Sequence, residues 1–250
     1  MRYAARTNAG RVRSLNEDAY YIPSAGKPDA LVMVADGMGG HQAGEVASAL
    51  AVKTVVEAVL KSLPVPQENG EQLVRVCVEQ ANRAIYQQAQ EHAQYSGMGT
   101  TITMALVGKR QLITGHVGDS RGYLITAGGI EQVTRDHTLV EALFQAGIIT
   151  RQEADAHPRR HEITRALGTE PSVAVDVSVL PWQMGDVLLL CSDGLSDELT
   201  SEEIYAAFGP DAPAGDLESR VGRLLLQALE KGGRDNITLV AVQNDEEVAP

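Results

Sequence analysis

The chain has 250 residues, 44% of them hydrophobic, and its 33 acidic against 21 basic side chains leave a net charge of −12. That length suits one large domain or two small ones with an ample core, and no apolar run approaches the roughly 18 residues of a membrane span. The acidic surplus disfavours nucleic acid and anionic lipid as partners and leaves carboxylates to spare for cations.

The N-terminus, Met-Arg-Tyr-Ala-Ala-Arg, lacks the apolar stretch of a secretory signal. The first strong pattern is "LVMVADGMGGHQAGEVASALAV", residues 31 to 52. An apolar strand over 31–35 is broken by Asp36, followed by Gly37, Gly39 and Gly40, and from His41 the period becomes helical over 42–62. An unpaired buried carboxylate costs several kcal/mol, so Asp36 calls for an arginine, a helix N-terminus or a metal ion beside it. A surface loop is expected at 63–70 and a second amphipathic helix at 70–92. Strands then read at 100–107, 111–117 and 122–126, with turns at Gly108-Lys109 and Ala127-Gly128-Gly129. Their short links forbid a parallel crossover, so the three are expected as antiparallel neighbours. Residues 138–170 read as a helical insertion carrying Arg151, Arg159, Arg160, Arg165, His157 and His161 in an otherwise acidic chain. Strands at 173–179 and 186–191, a loop at 209–215, a helix at 216–231 and a strand at 237–243 complete the chain. The class is α+β, antiparallel sheet covered by helices. Cys77 falls in a helix and Cys191 in a strand. A disulfide is open to them in principle, but two buried free thiols in a reducing cytoplasm fit better.

The acid at Asp36 has counterparts. Asp119 follows a strand in "HVGDSRGY", Asp193 follows one in "LLLCSDGLSDE", and Asp235 precedes one in "GGRDNITLV". Any one alone reads as an Asx-turn or a helix cap. Four together are better explained by convergence on a cation at one sheet edge. An all-oxygen donor set selects Mg²⁺ or Mn²⁺, and three or four carboxylates outweigh one divalent ion, so a binuclear site follows. Two metals roughly 3.5–4 Å apart can clamp a phosphoryl group and activate water. Near the N-terminus, "GRVRSLNEDAYY" sets Arg13 close to Glu17 and Asp18. These form either a surface salt-bridge cluster or a guanidinium grip on phosphate, with the two acids holding metal-bound waters or orienting the arginine.

Two other chemistries are excluded. Read from Gly37, the sixth place of a dinucleotide fingerprint holds Gln42, not glycine. A cysteine phosphatase needs its C-x₅-R run in a phosphate-binding loop; Arg83 stands six after Cys77, but both lie inside a helical pattern, so the match is a coincidence of spacing.

Seven stretches in order, "RVRSLNED", "VADGMGGHQAGEVAS", "GTT", "VGDSRGY", "TRDHTL", "LLLCSDGLSD" and "RDNITLV", resemble the PPM/PP2C family of metal-dependent protein serine/threonine phosphatases, in its compact bacterial branch. The resemblance runs from Asn8 to about Val242. It implies a single domain over 1–250: a central sandwich of two antiparallel β-sheets flanked by helices on both faces, with a flap over about 138–170. It also implies that Asp36 bridges two Mn²⁺ or Mg²⁺ ions and that the Gly37 carbonyl binds the first. Asp193 and Asp235 then bind the second, Asp119 with Asp193 holds a third and weaker ion, and Arg13 binds the phosphate. Where many eukaryotic relatives carry a histidine after the Asp-Gly pair, this chain has Met38; His41 follows the bacterial pattern. His41 can serve as general acid, cap the helix or hold a carboxylate, with Glu45 one turn on, and a metal-bound water is the other candidate acid. His137 is expected to be a structural hydrogen-bonding residue at the flap entrance. The implied substrates are phosphoproteins, opposing a bacterial Hanks-type kinase, and the implied state is a monomer with no nucleic acid and no membrane. The alternative is a catalytically silent phosphatase-like module that binds phosphoproteins; pseudo-enzymes usually lose ligands, and all four aspartates and Arg13 are present here.

Overall fold

The structure, a computed structural model, describes residues 1–23, 31–39, 43–62 and 69–245. Among the described residues, eleven strands form two antiparallel sheets. The first contains β1 (Arg2–Asn8), β11 (Ile237–Gln243), β10 (Val187–Cys191), β7 (Arg121–Thr126) and β8 (Gly129–Gln132), in that spatial order. The second runs β2 (Asp18–Tyr21), β3 (Leu31–Met38), β5 (Ile102–Val107), β6 (Gln111–Val117) and β9 (Asp176–Pro181), with the short β4 (Gly99–Thr100) paired to the end of β3.

Helices cover both outer faces. On the second sheet lie α1 (Ala43–Lys61) and α2 (Gly70–Glu91), whose Ala47, Ala51, Val55, Val78 and Ile85 pack with Met33, Met104 and Ile113. On the first sheet lie α6 (Ser201–Phe208) and α7 (Leu217–Lys231), packing Ile204, Val221 and Leu224 onto Leu189, Leu239 and Ala241. A third apolar layer fills the gap between the sheets with Val32, Val34, Ala105, Leu112, Leu188, Leu190, Val240 and Val242. Central strands β5 and β10 are buried at every residue because both of their faces are covered. Thr200 and Asp216 cap α6 and α7 by accepting from backbone N–H groups three residues on.

Three sequence expectations change. The strand at 121–126 is not a neighbour of β6. After β5 and β6 pair as expected, Gly118 turns the chain at φ 115° and carries it across to the other sheet, where β7 pairs with β10 and β8. A short link excludes parallel pairing, yet it does not distinguish a hairpin from an arch between layers. Asp36 does not end its strand: β3 runs on to Met38, held by pairing with Thr100 and Gly99. Strands β1, β2 and β8 are additional, being edge or near-edge strands with half-exposed faces and no apolar run to reveal them. The expected loop at 63–70 lies, over 63–68, outside the described residues.

The region 138–170 holds two short helices, α3 (Leu139–Gln145) and α4 (Arg151–Asp155), followed by turns. Each is capped by the threonine before it, Thr138 and Thr150. A four-residue helix, α5 (Asp193–Ser196), follows β10 directly. Cys77 and Cys191 are both buried and free. No helix among the described residues is long and apolar enough to cross a membrane.

Candidate metal centre

Antiparallel pairing places Asp36 of β3 directly opposite Asp18 of β2. The backbone of Asp36 is fastened on its other side by two threonines. Its N–H donates to Thr101 Oγ1 at 3.0 Å, and its carbonyl accepts from Thr101 N at 2.9 Å and Thr100 Oγ1 at 2.8 Å. Thr101 Oγ1 also lies 2.7 Å from Ser120 Oγ, tying the Asp36 strand to the arch that carries Asp119. Gly37 is required by close approach: a Cβ there would meet the backbone oxygens of Gly44 and Glu17.

The other sheet delivers its acids beside these. Asp193 opens α5 after β10, and Asp235 precedes β11. Ser192 donates through Oγ to Asp18 Oδ2 at 2.8 Å, so the two sheets are hydrogen-bonded at the site. Asn236 holds the β1–β2 loop: its Nδ2 donates to the carbonyls of Ala9 and Leu15, and its Oδ1 accepts from Glu17 N at 2.7 Å. That loop presents Arg13, whose Nη2 donates to Asp235 Oδ2 at 2.7 Å.

The carboxylates act on one another. Asp36 is held well above the usual range, first by burial and then by the charges of Asp18, Asp193, Asp119 and Asp235. Asp193 is raised in the same way by burial and by Asp119, Asp197, Asp235 and Asp18. Burial raises Asp18 to about 6 and Asp119 to about 7. Burial also raises Glu17, against the backbone N–H of Gly44 at the start of α1. Two carboxylate oxygens, Glu17 Oε1 and Asp18 Oδ1, are buried with no hydrogen-bond partner. Orphaned anionic oxygens amid mutually repelling acids fit a cation, and the oxygen donors fit a hard divalent one.

Sequence reasoning overlooked two contributors. Among the described residues, His161, Asp193 and Asp197 form the group of metal-capable donors whose atoms all lie within 4.8 Å of one another. His161 Nδ1 stands 3.2 Å from Asp197 Oδ2, so the flap reaches the carboxylates through an imidazole. The signal was available: Asp197 is one helical turn beyond Asp193, on the same face. His41 lies outside the described residues. His137 is structural, its Nδ1 accepting from Gly118 N at 3.0 Å while Nε2 faces Asp176 and Arg165. The flap arginines are largely spoken for: Arg159 pairs with Glu162, Arg151 with Glu141, and Arg165 with Asp176.

A helix-flanked β-sandwich with carboxylates of both sheets gathered at one end of its strands is the arrangement of a metal-dependent phosphatase. The family model "Protein phosphatase 2C" matches residues 7–227. A serine/threonine phosphatase of Listeria monocytogenes, stp, is 38% identical over 244 residues, covering 96% of this chain and 94% of its own. The crystal structure of the Mycobacterium tuberculosis serine/threonine phosphatase PstP superposes with a TM-score of 0.88 at 38% identity, covering 98% of this chain and 99% of that one. A structure of the PstP catalytic domain in complex with two manganese ions gives 0.83 at 38% identity, with 97% of each chain covered. The chain belongs to the protein phosphatase 2C family.

Proposed function

We propose that this chain is a metal-dependent protein phosphatase that hydrolyses phosphoserine and phosphothreonine on proteins. The observation that carries the proposal is the mutual electrostatic action of Asp36, Asp18, Asp193, Asp119 and Asp235, contributed by both sheets. Asp36 would bridge two ions, with the Gly37 carbonyl on the first and Asp193 and Asp235 on the second. Asp119 with Asp193 would hold a third, weaker one. The oxygen donors suit Mn²⁺, as in the related PstP complex, and Mg²⁺ equally. A bound pair of such ions supplies a nucleophile from water at neutral pH and offsets charge developing on the phosphoryl oxygens.

The chain's own groups do the rest. Arg13, half-exposed beside Asp235, presents a fork that orients a tetrahedral phosphate at the mouth of the site. Glu17 and Asp18 lie behind Asp36 and fix waters or the arginine. His41 is proposed to protonate the leaving alkoxide, since Met38 has no proton to give. Neither thiol can serve as nucleophile: burial pushes Cys77 up to about 11 and Cys191 to about 12. The substrates would be those of a bacterial Hanks-type kinase, met by a monomeric enzyme in a reducing cytoplasm that keeps both thiols free. A silent binding module is disfavoured because every proposed metal-ligating aspartate and Arg13 is in place.

The test is phosphate release from a phosphothreonine peptide by EDTA-treated protein, with and without added Mn²⁺. Turnover restored by Mn²⁺ and lost in Asp193→Asn supports the proposal. No turnover at saturating Mn²⁺ would overturn it.

A further inference from the structure

The apolar layer between the sheets stops half-way along β6 and β9. Cross-strand partners Leu112 and Leu180 belong to that layer, but the next pairs towards the flap on the same face are Thr114 with Ser178 and His116 with Asp176. Positions that elsewhere carry valine and leucine are here polar, and a cavity of about 740 Å³ opens above them. Its far wall is Arg121 and the segment from Gln132 to Asp136, and its roof is Glu141, Arg151 and Asp155 of the flap helices. The volume is that of a ligand site, not a packing fault.

This cavity lies next to the metal centre. A second, smaller one is bordered by Asp119, Asp193 and Asp197, and it shares Arg121, Asp136, Glu141, Arg151 and Asp155 with the first. The two cavities therefore lie side by side beneath the flap, one at the carboxylates and the other towards the side of the sandwich where β8 and β9 stand as the last strands of their sheets. Each of these edge strands pairs on one side only.

The wall chemistry narrows the occupant. Most of its charges are paired: Arg121 with Asp136, Arg151 with Glu141, and Asp176 with Arg165. A wall of paired charges and hydroxyls offers donors and acceptors without a net field, which suits peptide amides and not a second phosphate. Arg135, exposed on the rim, makes no ion pair among the described residues.

We propose that this groove is the docking channel for substrate polypeptide: with the phosphorylated side chain in the carboxylate cage, the main chain on one side of it lies extended between β8 and β9. The inference rests on the phosphatase reading and adds where the protein part of the substrate binds. Edge-strand hydrogen bonding supplies sequence-tolerant affinity, as in other strand-addition complexes.

The experiment compares kcat/KM for p-nitrophenyl phosphate with that for phosphothreonine peptides extended by zero, three or six residues on either side, all at saturating Mn²⁺. The wild-type chain should gain at least tenfold from extension on one side and little from the other. Ser178→Trp, which fills the groove from β9, should lower the peptide-to-nitrophenyl ratio at least tenfold. The exposed Arg135→Glu should lower it severalfold, and it decides the matter if Ser178→Trp does not fold. A wild-type chain indifferent to peptide length, or a ratio unchanged in the folded variants, overturns the channel. Failure of the wild type to hydrolyse p-nitrophenyl phosphate removes instead the phosphatase reading, and the channel with it.

Discussion

Replacing Asp119 by Asn should stabilise the metal-free protein at pH 8 while leaving it nearly unchanged at low pH. Asp119 is 7% exposed. Burial, then the charge of Asp136, raises its carboxyl from 3.8 to about 7. The folded-state value therefore lies above the unfolded one, and between pH 4 and 7 the folded chain binds more protons. Its stabilising contribution is complete below the unfolded value and is lost as pH rises through 7. Three pH units at about 1.4 kcal/mol each give an upper figure of about 4 kcal/mol, because neighbouring acids share the protons. Urea unfolding in EDTA at several pH values would read this through Trp182, the sole tryptophan, which is buried. His116 opposes the trend, since burial lowers its imidazole to about 4. Its contribution is full above 6.5 and lost as pH falls towards 4, and it cancels between wild type and variant. The difference between the two proteins should grow with pH up to about 4 kcal/mol at pH 8. A pH-independent difference, or a variant less stable at pH 8, would refute the electrostatic reasoning.

Thr101→Val should weaken Mn²⁺ binding severalfold by calorimetry, because it strips the Asp36 N–H and Ser120 Oγ of a buried partner at about 1–3 kcal/mol each. Thr101→Ser should restore it, and an unchanged dissociation constant in the valine variant would refute the role. Arg13→Ala should raise KM for p-nitrophenyl phosphate roughly tenfold or more, the value of a charged hydrogen bond; an unaltered KM would show that Arg13 does not touch the phosphate. Gly37→Ala should cost about 1–3 kcal/mol or more in thermal unfolding, since a Cβ there meets backbone oxygens that cannot move aside. A wild-type melting curve would show that the local fit is looser than described.

What the sequence revealed, and what it hid, follows from how each signal is encoded. Helices α1, α2 and α7 were legible because each presents a repeating apolar stripe to a sheet. The acids Asp36, Asp119, Asp193 and Asp235 stood out because a carboxylate beside a buried strand is costly. The arch from β6 to β7 was hidden, since "VGDSRGY" is equally short whether it closes a hairpin or changes layers. Strands β1 and β2 were missed because their exposed faces break the apolar run, although β2 carries Asp18 to Asp36. Asn236 passed unnoticed because the three hydrogen bonds of its side chain reach residues more than 200 positions away. The meeting of His161 with Asp193 and Asp197 needed the flap's fold, which no periodicity encodes.

Anomalous diffraction from crystals of this protein soaked in Mn²⁺ tests the central claim most directly. Two strong manganese peaks joined by the carboxylate of Asp36, with Asp193 and Asp235 on one of them, are the result expected. Peaks remote from Asp36, or none at saturating Mn²⁺, would contradict it.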